Sequence, residues 1–425
     1  MKVLLYGSGA REHAIAWKLI SSPLLTELYL YKPNDGFAHL GKIINASNNA
    51  ELAIKALEEK IELLIVGPED PLVNGVVDEF KKLGIPAIGP DKKWAMLEGS
   101  KSFAKDFMFR NNLPTANYIV VSQKKEIEKA LDNFDLPVVL KADGLAAGKG
   151  VFIVYEKAEA VEIIEEFLEG KFGEASKNVV IEEFLEGEEL SLISLWDGKT
   201  LLPLVPARDY KRLLDNNNGP NTGGMGSYCP VLLTSEQQKE LDIYTKMLEN
   251  SLREEKADFS GIIYSGLMMT NKGLKVLEYN MRFGDPETQA ILPYMESDLL
   301  YLFNKAVNKE LDKIQISWKK GLSLCLVIAA KGYPFDPIKG GEIKNIDLIQ
   351  EKFGVSVFFA GVKKQEEKFF ANGGRVLSIC KTGIEPQKDI YAAAKELCFD
   401  DKYYRTDIQS NSILTHDVIA RSETK

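Results

Sequence analysis

The sequence predicts a chain of mixed α/β and α+β class in three domains. These are an N-terminal doubly wound parallel sheet, a central hairpin-built domain and a small C-terminal β-rich domain. Three observations carry that prediction. The chain has 425 residues, which at roughly 150 residues per domain is enough for about three cores. Its first hundred residues alternate short apolar runs with longer amphipathic ones, as parallel strands joined by crossover helices do. Beyond residue 100, β runs follow one another with turn signals between them. The expected domains are 1–100, 101–320 and 321–425.

The elements follow in order. Strands are expected at 3–6, 28–31, 63–66 and 87–89. Between them, 12–20, 51–59 and 72–83 carry apolar residues three and four apart, as helices covering a sheet require. Gly89-Pro90 breaks the alternation. Helices follow at 92–98 and 102–111, ending before Pro114. The central region then reads as strand 117–121, helix 124–134, strand 138–141, a glycine-rich loop, strand 151–155 and an acidic helix to 168. Strands at 178–184 and 189–196 precede a turn at Asp197-Gly198. Residues 215–226, DNNNGPNTGGMG, are polar with four glycines and predict a mobile loop. A helix over 235–256 and a hairpin of 261–270 with 274–280 close the domain. The last hundred residues return to short strands and end in a helix near 389–397.

Composition removes several classes of function. Apolar residues make up 45% and charged residues 27%, an ordinary globular balance. Lys plus Arg number 53 against 62 Asp plus Glu, a net charge of -9, and no basic arm stands ready to displace counterions from a nucleic-acid backbone. Cys229, Cys325, Cys380 and Cys398 form no C-x-x-C, so reduced thiols are expected and not a zinc ribbon. With only His13, His39 and His416, any metal is expected to use oxygen ligands. The start lacks the pattern of a signal peptide, and no apolar run approaches the ~20 residues of a spanning helix. A cytoplasmic protein without nucleic-acid or membrane partners is expected.

Four stretches carry chemistry. Gly7-Ser8-Gly9-Ala10-Arg11-Glu12 lies between the first strand and first helix, where amides and the helix dipole favour an anion. It lacks the third glycine of a dinucleotide fingerprint, and no ribose-binding acid ends the second strand. A phosphate on a smaller ligand, with Arg11 as donor, or a plain tight turn remain the readings. Residues 142–150, ADGLAAGKG, have three residues where a Walker loop has four, and they lie between two strands. They read as a flap over nucleotide phosphates, with Lys141 and Lys149 supplying charge. The stretch 180–188 turns from a buried β run into acidic residues, which suit an adenine and a ribose or simply face water. Finally, on the strand ending at 280, alternation puts Glu278 and Asn280 on one face and Leu277 and Tyr279 on the other. A carboxylate beside an amide oxygen suits magnesium. Arg282 is placed to hold an anion as a fork. The mixed charges of Arg208-Asp209-Tyr210-Lys211-Arg212 read either as a solvated face or as a grip on substrate.

Together these stretches resemble the ATP-grasp ligases, and within them the phosphoribosylamine–glycine ligase family. The carriers are GSGAREHA at 7–14, GPEDPLV at 67–73, LEGSKSFAKDF at 97–107, LKADGLAAGKGV at 140–151, IEEFLEGEE at 181–189, GPNTGGMG at 219–226, LEYNMRFGDPETQ at 277–289 and NGGRVL at 372–377. The resemblance implies a central ATP-grasp domain with a mobile lid subdomain at about 117–190. It implies that Lys105 and Lys141 hold ATP phosphates under a flap of Gly148, Lys149 and Gly150. Glu183 and Leu185 would border the adenine through backbone groups, Glu182 would also belong to the ATP site, Glu188 would take the ribose, and Glu278 with Asn280 would bind magnesium or manganese. Phosphoribosylamine would lie against Gly9, Arg11 and Glu12 with Pro68 and Glu69 nearby, and glycine near Asp209, Arg282 and Asp285. Lys105, Lys141 and Arg282 would act in catalysis.

The implied reaction joins glycine to 5-phosphoribosylamine at the expense of ATP, through glycyl phosphate, in purine synthesis. A monomer or weak homodimer is expected. The rival implied by the same resemblance is another ATP-grasp carboxylate–amine ligase or a carboxylase. Three positions depart from the family pattern: Ala10 in place of a second glycine, Tyr210 in place of a histidine, and Asn34-Asp35-Gly36-Phe37 in place of a glycine-rich loop.

Overall fold

A computed structural model of the chain describes residues 1–146 and 150–409. Gly148 and Lys149, expected in the flap, and His416 lie outside the described residues.

Five parallel strands, Lys2–Tyr6, Glu27–Tyr31, Lys42–Ile44, Leu63–Val66 and Ala87–Ile88, form the N-terminal sheet. Numbered as they occur in the chain, they stand in the order 3-2-1-4-5. Both faces are buried, as the apolar runs require. Val3, Leu5, Leu28, Leu30, Leu63 and Ile65 pack on one face. Leu4, Tyr6, Tyr29, Tyr31, Leu64 and Val66 pack on the other. The strand Lys42–Ile44 was not expected from the sequence; it has three residues and leaves Ile43 exposed. The helix expected over 72–83 is two helices, Glu69–Val73 and Val76–Lys82. Gly75, at φ +77°, breaks it in a left-handed conformation that suits glycine.

The central region holds two antiparallel sheets. The smaller contains Tyr118–Val121, Val179–Glu183, Val138–Ala142 and Val151–Val154, neighbours in that order. Val138, Leu140, Val179 and Ile181 face the helix Lys157–Leu168, which contributes Ala160, Ile164 and Phe167. The helix expected over 124–134 is shorter: a 3-10 turn, Lys124–Glu126, leads into Ile127–Leu131. The larger sheet orders Leu201–Pro203, Gly187–Trp196, Gly261–Thr270 and Gly273–Asn280. A bulge lies where the last two strands pair: Gly266 opposes Glu278, yet Leu267 opposes Val276. This corrects the simple alternation, because Val276 and Tyr279 both enter the core while Leu277 does not. The extra residue shifts the phase by one.

The third sheet joins the two halves of the chain. Arg208–Asp209 pairs with Gly226–Cys229, which pairs onto Leu322–Ala330, and the sheet continues to Arg375–Gly383 and the edge strand Ser356–Phe359. A mobile loop was expected over 215–226, but Asn218–Asn221 forms a hairpin with Arg212–Leu214. Backbone hydrogen bonds and the buried Arg405, which donates to the Arg212 carbonyl and Asn217 Oδ1, hold it in place. Polar composition excluded a core element there, but not a ladder satisfied by side chains. No helix among the described residues is long and apolar enough to cross a membrane. All four cysteines are free.

Candidate active site

Two lysines and one glutamate meet between the smaller sheet and the helix Lys101–Arg110. Ser100 caps that helix by accepting from Phe103 N. Lys101 and Lys105, four residues apart, share one face. On the sheet, Lys141 opposes Val180, and Glu182 opposes Val139, so Lys141 and Glu182 are diagonal neighbours. They lie on the face opposite Leu140 and Ile181. Glu182 Oε2 is 2.9 Å from Lys105 Nζ, and Oε1 is 2.9 Å from Lys141 Nζ. All three side chains are buried. Lys105 also donates to Thr115 Oγ1 at 2.8 Å. Burial pulls the Lys105 ammonium down to about 8, against the opposing pull of Glu182. Glu182 lies below the usual carboxylate range because the two lysines outweigh its burial. One anion shared by two cations leaves a net positive site under the sheet.

Lys141 also reaches across: its Nζ donates to the Leu277 carbonyl at 3.2 Å. That carbonyl belongs to the bulge which turns Glu278 out of the core. Glu278 is partly buried and makes no hydrogen bond or ion pair within reach among the described residues. Burial would raise its carboxyl, but Lys211, Lys141 and Lys101 hold it below the usual range. Asn280 shares the face, its Oδ1 at 3.3 Å from Arg282 Nη2. An ionised carboxylate and an amide oxygen without strong internal partners fit a hard divalent cation. Among the described residues no cluster of three or more His, Cys, Asp or Glu could hold a metal alone. A cation here therefore needs further oxygen ligands from phosphate or water.

Asp209 lies beyond Glu278. Burial raises it most; Lys211 opposes that, but Glu287, Glu189 and Glu278 carry it up to about 8. Lys211 is paired with Glu189 at 2.9 Å. The buried Glu287 accepts from Ser191 Oγ at 2.9 Å, and Ser191 meets the Tyr264 hydroxyl at 3.0 Å.

The N-terminal loop closes the other side. Glu12 Oε2 accepts Gly9 N–H at 2.6 Å, and Oε1 meets Arg11 Nε at 2.6 Å. Arg11 Nη1 donates to the Phe283 carbonyl at 3.0 Å. This changes the anion reading of the turn, because the protein's own carboxylate already takes the Gly9 amide. Arg282 is the hub of the seam. Its Nη2 lies 2.8 Å from Glu98 Oε1, and its Nε 3.2 Å from Glu69 Oε2. Glu98 also accepts Met281 N–H at 2.7 Å. Burial raises Glu98, with Arg282 only partly offsetting it. Arg282 is thus committed to two carboxylates. Asp285 is held by Arg375, with Nη1–Oδ1 at 3.1 Å and Nη2–Oδ2 at 3.2 Å.

The structure therefore draws Gly9, Arg11, Glu12, Glu69, Lys105, Lys141, Glu182, Asp209, Glu278, Asn280, Arg282 and Asp285 into one polar tract. Pro68 adjoins it, packed on Gly7. The Glu183 carboxylate accepts from Asn117, which leaves its expected role to backbone groups, and the exposed Glu188 pairs with Arg208 at 2.7 Å. Gly150 is buried, its carbonyl accepting Ala142 N–H at 2.8 Å. Sequence reasoning did not single out Glu98, Lys101, Lys211, Glu287 or Arg375. All of them stand inside segments named above, Lys211 in the mixed-charge run 208–212, but spacing alone did not separate them from their neighbours.

A buried lysine pair beneath a four-stranded antiparallel sheet, facing a carboxylate–amide pair on a second sheet, is the arrangement of an ATP-grasp enzyme. Comparison with known proteins narrows the class. Models of the phosphoribosylglycinamide synthetase N domain, ATP-grasp (A) domain and C domain match residues 1–98, 99–288 and 323–411. The chain belongs to the phosphoribosylglycinamide synthetase family. It is 43% identical over 416 residues to a phosphoribosylamine–glycine ligase of Brucella melitensis, covering 96% of this chain and 97% of that one. The crystal structure of phosphoribosylamine–glycine ligase from Thermotoga maritima superposes with a TM-score of 0.83 at 33% identity, over 96% of this chain and 100% of that one. The biotin carboxylase domain of the Hydrogenobacter thermophilus 2-oxoglutarate carboxylase, at 19% identity and TM-score 0.72 over 95% of this chain and 91% of that one, shares the fold.

Proposed function

We propose that the chain ligates glycine to 5-phosphoribosylamine, with ATP converted to ADP and phosphate through glycyl phosphate. One observation supports the site assignment above the rest. Lys141, at the root of the glycine-rich flap, touches the Leu277 carbonyl beside Glu278, so the flap's strand and the metal-binding strand enclose one space. Triphosphate in that space lies between Lys105 and Lys141 on one side and Glu278 with Asn280 on the other.

A carboxylate is a poor electrophile, so glycine first attacks the γ-phosphorus and expels ADP. The amine nitrogen of phosphoribosylamine then attacks the acyl carbon, a proton leaves the nitrogen, and phosphate departs. Neither step calls for an enzyme nucleophile. Lys105 and Lys141 stabilise charge on the transferring phosphoryl oxygens, and Glu182 fixes both ammonium groups. Magnesium or manganese at Glu278 and Asn280 would supply charge neutralisation at the phosphates. The Gly9, Arg11, Glu12, Pro68 and Glu69 group receives phosphoribosylamine, and the region of Asp209, Arg282 and Asp285 receives glycine. The flap and lid exclude water from the acyl phosphate. A cytoplasmic location completes the reading.

Glu278→Ala is expected to abolish glycine-dependent ADP release in the folded protein, a loss of ~2.7–4 kcal/mol or more in transition-state stabilisation. Unchanged turnover removes the metal assignment. ADP release driven by bicarbonate in place of glycine points instead to a carboxylase.

A further inference from the structure

The NGGRVL segment leads into the C-terminal strand Arg375–Gly383, yet its arginine reaches Asp285 in the seam. We propose that Arg375 is a positioning residue for the amine substrate: from the C-terminal sheet, its guanidinium sets Asp285 and the 223–224 turn opposite Gly9. The inference rests on reading Gly9, Arg11 and Glu12 as the phosphoribosylamine side.

Arg375 Nη1 donates to the Gly223 carbonyl at 2.6 Å, to the Asp285 carbonyl at 3.1 Å and to Asp285 Oδ1 at 3.1 Å, while Nη2 lies 3.2 Å from Oδ2. Gln289 adds a donor to Oδ1 at 2.7 Å. Oδ1 is thus occupied twice, while Oδ2 faces the N-terminal loop, 3.6 Å from where a Cβ on Gly9 would stand. That oxygen keeps acceptor capacity towards an N–H or O–H donor of the bound amine.

The turn is shaped for the same clamp. A Cβ on Gly223 would lie 3.1 Å from Arg375 Cζ, and one on Gly224, at φ +108°, would lie 2.4 Å from Pro286 Cδ. Only a planar fork spans both Asp285 oxygens and the Gly223 carbonyl; a lysine offers one point charge. Three separate stretches of chain, 223–224, 285–289 and 375, are thereby locked in one arrangement.

The test uses full-length Arg375→Gln, Arg375→Lys and Gly223→Ala, with kcat and KM measured for each substrate. In Arg375→Gln, kcat/KM for phosphoribosylamine is expected to fall about 100-fold, while KM for ATP stays within about 3-fold. Arg375→Lys should regain at most about 10-fold of that loss. The acid limb of the pH profile should move upward in Arg375→Gln as Asp285 loses its cation. Gly223→Ala displaces the guanidinium without removing it, and should give the same split if the glutamine variant does not fold. Equal rises in the KM for ATP and for phosphoribosylamine, or unchanged constants, overturn the inference. A wild-type protein inactive with glycine and phosphoribosylamine overturns instead the reading beneath it.

Discussion

At the scale of single residues, Lys105 is a buried ammonium whose charge burial disfavours and Glu182, 2.9 Å away, supports. Its value near 8 means that free protein loses this charge on mild alkalinisation, and with it part of its hold on triphosphate. For a group charged below its pKa, binding that needs the charge is complete below about 8 and declines tenfold per unit above it. The expected outcome is a bend near pH 8 in kcat/KM for ATP, measured between pH 7 and 9.5. Lys105→Arg, which does not deprotonate in that range, should lower the plateau and abolish the bend; an unchanged bend assigns it to another group. Lys141 was legible in the sequence because it precedes the glycine-rich flap, whereas Lys105 came only from the resemblance that its segment carries. Glu98 was not, since its partner Met281 lies 183 residues away. Arg375 was likewise hidden, because nothing in NGGRVL announces that its guanidinium will meet Asp285. Long-range electrostatic pairs leave no local period to read.

At the scale of elements, apolar alternation located the other strands of the first 200 residues and the pair over 261–280, since strands buried on both faces are continuous apolar runs. It missed Lys42–Ile44, too short and too exposed to give a pattern, gave no bounds for the strands of the last hundred residues, and read 215–226, where Asn218–Asn221 pairs with Arg212–Leu214, as a mobile loop. The loops at strand ends show a different economy. Gly7 and Gly9 follow the first strand and Gly67 follows the fourth, and all three clear space for one side chain: a Cβ on Gly67 would lie 2.0 Å from Glu12 Oε1, and one on Gly7 2.6 Å from Glu12 Cγ. Gly67 has no positive φ, so its substitution tests space and not backbone conformation. Gly67→Ala should push the Glu12 carboxylate off Gly9 N–H and Arg11, at ~1–3 kcal/mol in stability. KM for phosphoribosylamine is expected to rise ~10-fold or more, with KM for ATP little changed. An unaltered phosphoribosylamine KM would separate Glu12 from that substrate.

At the scale of the whole molecule, the first and last thirds of the chain meet directly. The strand Ser356–Phe359 is an edge, and its outward backbone needs partners. The N-terminal region supplies them: Phe359 N donates to His13 Nδ1 at 2.9 Å, and Asn34 Nδ2 donates to the Phe359 carbonyl at 2.9 Å. Asn34 also donates to the Ser8 carbonyl, so the departure from a glycine-rich loop builds a domain contact. His13 stacks between Phe37 and Phe359, at 5.2 and 5.6 Å. Because Nδ1 accepts, the ring is neutral. Burial, with a smaller contribution from His39, pulls it from 6.5 down to about 3. Between those values the unfolded chain binds the proton and the folded chain does not, so stability rises with pH through that window and falls on acidification. From pH 6.5 to pH 5 the loss is about 2 kcal/mol at 1.36 kcal/mol per unit. His13→Asn retains an acceptor and cannot titrate. Urea unfolding at pH 7 and pH 5 should show the wild-type protein losing about 2 kcal/mol more than this variant. Equal losses in both proteins would mean that the ring is protonated in the fold, leaving the Phe359 amide without its acceptor and the docking of the two regions to the Asn34 bridge.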